Sequence, residues 1–121
     1  MSSSELPMNV QQQLARLQQL QQTLAALLSE KQRIQSELEE IKLALEELSK
    51  VDESVIVYKA VGPLLIQTAK EKVISELSEK RDLNDTRLKV LEKQEARTRS
   101  QIATLQKEIQ MSLGSGRSEE A

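Results

Sequence analysis

Catalysis needs nucleophiles, proton carriers or converging ligands, and this 121-residue chain supplies few of them. It contains neither His nor Cys, which removes imidazole acid–base chemistry, thiol nucleophiles and disulfides. Its most conspicuous carboxylates are the adjacent pairs Glu39-Glu40 and Glu46-Glu47. They fall in a stretch that reads as helix, where neighbours point about 100° apart, so the pairs read as solvated surface and not as acid–base or metal sites. No Gly-rich phosphate loop or nucleophile turn is present, and Gly62 is followed by Pro63, which lacks the backbone N–H an anion would use. The single aromatic, Tyr58, has no basic groove around it and reads as packing, not as a platform for a base. With a net charge of -2 and both signs interspersed, no basic stripe favours nucleic acid or an anionic membrane. No catalytic residue, metal ligand or cofactor is expected.

The remaining chemistry is contact. Between Leu6 and Ser29 the only charged residue is Arg16, and seven of the twelve residues from Gln11 to Gln22 are Gln, which makes this surface polar but barely charged. Leu14 and Leu28 widen its apolar stripe, and Met8 adds an adaptable side chain just before it. Such a surface is either a Gln-rich helix that packs on a neighbour or an unspecific contact face for apolar segments.

The elements that carry these residues follow from periodicity. Over residues 10–50, Val10, Leu17, Leu24, Lys31, Leu38 and Leu45 share one heptad position, and Gln13, Leu20, Leu27, Ile34, Ile41 and Leu48 share the other. Ten of the twelve are apolar, so the stretch predicts a helix supercoiled against another. Lys31 reads as a register device in that seam, and Asn9 as the helix N-cap. A second helix is expected over residues 69–113, introduced by a capping box, Thr68-Ala69-Lys70-Glu71. Its seam is patchier, with Arg81/Asn84 and Glu95/Thr98 interrupting the apolar pairs Ile74/Leu77, Leu88/Leu91 and Ile102/Leu105. Gly114-Ser115-Gly116 is expected to end it, leaving residues 114–121 disordered.

Between the helices, residues 55–67 break the helical pattern. Val55, Ile56, Val57, Tyr58, Val61 and Ile66 favour strand, and Gly62-Pro63 provides a turn, predicting a β-hairpin completed by Leu64 and Leu65. Both faces are largely apolar, and a lone two-stranded hairpin is marginal in water with open edges. The hairpin is therefore expected to pair with other strands, and this chain has no more to offer. Two helices leaving one hairpin fold back antiparallel most simply, giving a mainly α chain: a long antiparallel coiled-coil hairpin of two helices joined by a central β-hairpin, in a single domain. Pairing Leu45 with Leu77 then sets Ile34 opposite Leu88, Leu20 opposite Ile102, and Gln13 opposite Ile109. The opening residues lack a basic flank and an apolar core, and no apolar run approaches the roughly 18 residues of a membrane span, so a soluble, intracellular protein is expected.

The run Val57-Tyr58-Lys59-Ala60-Val61-Gly62-Pro63-Leu64-Leu65-Ile66 resembles the central hairpin of beta-class prefoldin subunits. The flanks from Glu37 to Leu48 and from Leu91 to Glu95 fit the same family, over roughly residues 10–113. The resemblance implies an ATP-independent chaperone, a cytoplasmic hexamer of two alpha and four beta subunits whose hairpins form its body. Its coiled-coil tips hold unfolded client proteins and pass them to a group II chaperonin, with no nucleic acid or membrane involved. On this chain the tip would be built from Met8, Val10, Leu14 and Leu17 with Leu105, Ile109, Met111 and Leu113. A structural coiled-coil adaptor bridging fixed protein partners is the alternative.

Overall fold

The structure, a computed structural model, describes residues 6–120, with side chains for residues 6–114. Helix α1 spans Met8–Lys50, strand β1 Val57–Val61, strand β2 Leu64–Thr68, and helix α2 Lys70–Glu120. The two long helices pack antiparallel, and the strands between them form one antiparallel two-stranded sheet. Contacts gather the chain into two compact units, one made of both chain ends (Met1–Glu30 with Leu91–Ala121) and one made of Lys31–Val90.

Every α1 position assigned to the heptad seam is buried or half-buried, from Val10 to Leu48, while the residues between are mostly exposed. The seam of α2 is also continuous in burial, apart from exposed Arg81, although it is interrupted in polarity: Asn84 and Thr98 are buried at 1% and 6% exposure. A seven-residue spacing fixes which side faces inward, and polar residues caught in that spacing are carried inside with the rest.

In the Lys31–Val90 unit, Ile34 and Ile41 form the buried apolar centre beside Asn84. Glu37 sits at its edge, with Lys80 Nζ 2.9 Å from one carboxylate oxygen and Arg33 Nη1 3.3 Å from the other. The register predicted from Leu45 and Leu77 sets Glu37 opposite Asp85; the observed neighbours, Lys80 and Asn84, lie within about one and a half turns of it. In the unit of the chain ends, Val10, Leu20 and Ile109 are buried with Thr98.

Three boundaries differ from the sequence expectation. The carbonyl of Pro7 accepts from Val10 N at 3.1 Å and Gln11 N at 3.0 Å, so Pro7 holds the N-cap position and Asn9 lies inside the first turn. A carbonyl is all this position strictly requires, and Gln11 Nε2 secures the entry by donating to Leu6 O at 2.7 Å. Thr68 pairs with Val57 as the last residue of β2, and Ala69 O accepts the first α2 bond, from Val73 N at 3.2 Å. The strand ladder has taken the residue that the capping box needed. Finally, α2 continues through Gly114-Ser115-Gly116 to Glu120. Gly114 is not in the left-handed conformation that closes a helix, no Pro follows, and glycine inside a helix costs only about 1 kcal/mol relative to Ala. Residues 1–5 and Ala121 lie outside the described residues, so the tail expectation at Ala121 and the lead before Leu6 have no structural counterpart.

Candidate functional site

The hairpin is built around Gly62, whose φ of 56° is the positive value that a tight two-residue hairpin turn needs at its first position. Pro63 follows with its φ fixed near -65° by the ring, which suits the second position of a type II′ turn. Strand register then runs from Val61↔Leu64 back to Val57↔Thr68. Alternation divides the side chains into one face of Val57, Lys59, Val61, Leu64, Ile66 and Thr68, and another of Tyr58, Ala60, Leu65 and Gln67. Within this sheet only Val57 and Thr68 are half-buried. Tyr58 is 57% exposed and Leu65 73%, and Val55, Ile56, Val61, Leu64 and Ile66 are exposed too. Each of these side chains would gain roughly 1.5–3 kcal/mol if fully buried, so the hairpin presents a large unrealised hydrophobic driving force.

The hairpin's position is set by charge as well as by chain connectivity. Lys59 Nζ lies 2.8 Å from Glu76 Oε2, and these two line an open groove of about 380 Å³ with Val73, Leu77 and Lys80. The Lys59 hydrogen bond pulls the Glu76 carboxyl below the usual glutamate range. At the hairpin base, Asp52 Oδ1 accepts from Ser54 N at 2.7 Å and Ser54 Oγ at 2.8 Å, which closes a small turn and lowers the Asp52 pKa. Lys70 Nζ donates to Val51 O at 2.6 Å, fastening the α1 exit to the α2 entry. Glu71 meets Glu53 instead of a helix cap, and that carboxyl–carboxyl hydrogen bond raises the Glu71 pKa. Sequence reading missed the Lys59–Glu76 contact, though a signal was present: Lys59 is the one charged residue of β1, on a face whose other members are apolar except for Thr68 at its end.

At the chain ends, the eight residues expected to form a capture tip divide into three groups. Met8 (67% exposed), Leu14, Met111 and Leu113 are exposed; Leu17 and Leu105 are half-buried; Val10 and Ile109 are buried, at 1% and 7%. Val10 and Ile109 thus belong to the packed seam, and the free apolar surface comes from the other side chains. Gln13, a seam position, has a buried Oε1 without a hydrogen-bond partner, an imperfection that weakens packing in this region. Among the described residues no group of three or more potential metal ligands converges, and no helix is long and apolar enough to cross a membrane.

Comparison with known proteins follows the same geometry. A family model described as "Prefoldin subunit" matches residues 11–116. The chain is 44% identical over 106 residues to the prefoldin subunit beta of Archaeoglobus fulgidus, covering 88% of this chain and 91% of that one. It is 46% identical over 112 residues to the prefoldin subunit beta of Methanothrix thermoacetophila, covering 93% of each. Among solved structures, the prefoldin beta subunit from Thermococcus strain KS-1 superposes with a TM-score of 0.81 at 38% identity, over 90% of this chain and 96% of that one. The beta2 subunit from the same strain shares the fold, with a TM-score of 0.68 at 19% identity over 75% of this chain and 97% of its own.

Proposed function

Because this chain belongs to the prefoldin family as a beta-class subunit, a chaperone component and not an enzyme, we propose that it works as an ATP-independent holdase. In this reading its hairpin joins it to prefoldin alpha subunits and other beta subunits, in a hexamer of two alpha and four beta chains. The helix ends hold unfolded client proteins in the cytoplasm until they pass to a group II chaperonin.

One observation carries the reading: apart from Leu43, Leu83 and Val90, the exposed large apolar side chains lie at the hairpin and at the helix ends, including Ile56, Tyr58, Leu64 and Leu65 in one unit and Met8, Leu14, Met111 and Leu113 in the other. The first set lies on or directly beside a paired two-stranded sheet with open edges, which suits strand-to-strand assembly. The second set lies on helix ends and includes two flexible Met side chains, which suits weak contacts with many sequences. Each such contact contributes on the order of 1 kcal/mol when partly buried, so several subunits acting together are needed for retention.

The test is a complex assembled with alpha-class partners and a beta chain lacking residues 1–14 and all residues after Leu105. It should keep its assembled size in sedimentation velocity and lose suppression of aggregation of chemically unfolded clients. Protection equal to that of the full-length complex would remove the helix ends from client capture. Selective binding to one fixed partner, with no protection of unrelated clients, would favour an adaptor instead.

A further inference from the structure

Arg16 is the only charged residue of α1 between Leu6 and Ser29, and the structure puts it on the wall of a groove between α1 and α2 within the unit of the chain ends. The groove is open to solvent and has a volume of about 280 Å³. Buried Leu20 and half-buried Leu105 give it an apolar floor, and Gln101, Thr104 and Glu108 of α2 line it as well. Arg16 is exposed and makes no ion pair among the described residues, even with Glu108, which shares the groove. A charge needed only for solubility would serve equally well at the exposed positions that Gln12, Gln18, Gln19, Gln21 and Gln22 occupy.

We propose that this groove seats an extended segment of an unfolded client carrying an apolar side chain next to a carboxylate, the apolar group on Leu20 and Leu105 and the carboxylate on Arg16. This inference rests on the reading that the helix ends capture clients, and it gives those clients a preferred chemistry. The groove is slightly smaller than the roughly 300–1,000 Å³ of small-molecule pockets, and it is open, which fits a short stretch of chain laid along it. A guanidinium offers a planar fork of donors that matches a carboxylate in two-point contact. The Gln101 amide and Thr104 hydroxyl can both donate and accept, so they can satisfy a client backbone whatever its sequence. Glu108 repels a second carboxylate and so orients the segment, acid toward Arg16. Because Arg16 is exposed, its contribution is modest and sensitive to salt.

Two fluorescein-labelled peptides test this, identical extended sequences of Leu, Val and Ser that differ only in one Asp or Asn next to a central Leu. Binding is followed by anisotropy to the complex assembled with alpha-class partners, alongside its aggregation assay. The Asp peptide should bind about threefold to fivefold more tightly, the range an exposed ion pair supports. Arg16→Gln should abolish the preference, Arg16→Glu should invert it, Glu108→Gln should widen it, and raised salt should shrink it. Equal binding of the two peptides by the wild-type complex, or a preference that survives Arg16→Gln, overturns the proposal while leaving client capture intact. If the wild-type complex neither holds a peptide nor suppresses aggregation, the capture reading falls and takes this inference with it.

Discussion

Lys59 Nζ stands 2.8 Å from Glu76 Oε2, joining the centre of β1 to the second turn of α2. Both side chains are substantially exposed, so water and salt screen the pair and it adds little to the stability of the chain. Its consequence is geometric, because it holds a strand that has almost no buried side chains of its own. Glu76→Gln should leave the thermal unfolding of the chain unchanged and speed amide hydrogen exchange in β1. Exchange as slow as in the wild type would mean that chain connectivity alone places the hairpin.

Leu65, 73% exposed and paired with Ala60, probes the assembly surface without disturbing this anchor. An Asp there meets water in the isolated chain but would be desolvated in a strand-to-strand interface, where an unpaired charge is costly. Leu65→Asp should retain wild-type helix content by circular dichroism yet fail to form a hexamer-sized species with alpha-class partners in sedimentation velocity. Normal assembly would move the interface away from this face.

Glu37 predicts the direction of one pH effect. The Lys80 hydrogen bond is the largest influence on it, opposed by partial burial and reinforced by the charge of Lys80, the Asn84 amide and Arg33, with a net lowering from the ordinary glutamate value of 4.5. A carboxyl whose folded pKa lies below its unfolded value contributes stability that is fully present above about pH 4.5 and is lost as pH falls through the lowered value. For an ion pair at the edge of the core this is about 1 kcal/mol. Urea unfolding of the wild type and Glu37→Gln should therefore differ near neutral pH and converge in acid. A gap that stayed constant down to pH 3 would assign the loss to packing.

Asn84 is the weak point of the same region. It is 1% exposed, and its Nδ2 approaches the Glu37 carboxylate closely enough to lower that pKa but stops short of a well-formed hydrogen bond to it or to any other group. Leaving a buried donor unmatched costs about 1–3 kcal/mol, whereas an apolar side chain of similar size does not incur that cost. Asn84→Leu is expected to raise the unfolding free energy by about 1 kcal/mol in urea titration, and Asn84→Ala, which opens a cavity, to lower it by a similar amount. Destabilisation by Leu would show that the amide finds its partner in solution.

These residues show how far the sequence could be read. The seam of α1 was legible to the residue because seven-residue spacing is a local property, and burial follows it from Val10 to Leu48. The hairpin was legible because Gly62-Pro63 suits one kind of turn and the β-branched runs flank it. The ends of elements were not. Thr68 fits a strand and a cap equally well by type, and pairing with Val57 across the hairpin decided it. Glu37–Lys80 and Lys59–Glu76 join separate elements, so no local pattern names the partners, although the lone charge in β1 marks Lys59 as a residue that seeks one. At the helix ends, hydrophobicity alone grouped Val10 with Met8, whereas the heptad phase separates the buried one from the exposed one.

That separation yields a contrast between stability and capture. Val10 is 1% exposed and Met8 67%, though only two residues apart on α1. Val10→Ala removes buried methyl groups from the end of the seam and should cost about 1–2 kcal/mol in unfolding free energy, at the low end for core truncations because a helix end relaxes easily. Met8→Ser and Met111→Ser together remove little buried packing and should leave stability within about 0.5 kcal/mol of wild type. If exposed side chains hold clients, the double Met variant should need a higher molar ratio of complex to client for full protection in an aggregation assay. Val10→Ala should protect as well as wild type at temperatures below its own unfolding. The reverse pattern, in which Val10→Ala loses protection at those temperatures and the Met variant keeps it, would mean that clients reach the seam itself and that the coil must open to take them.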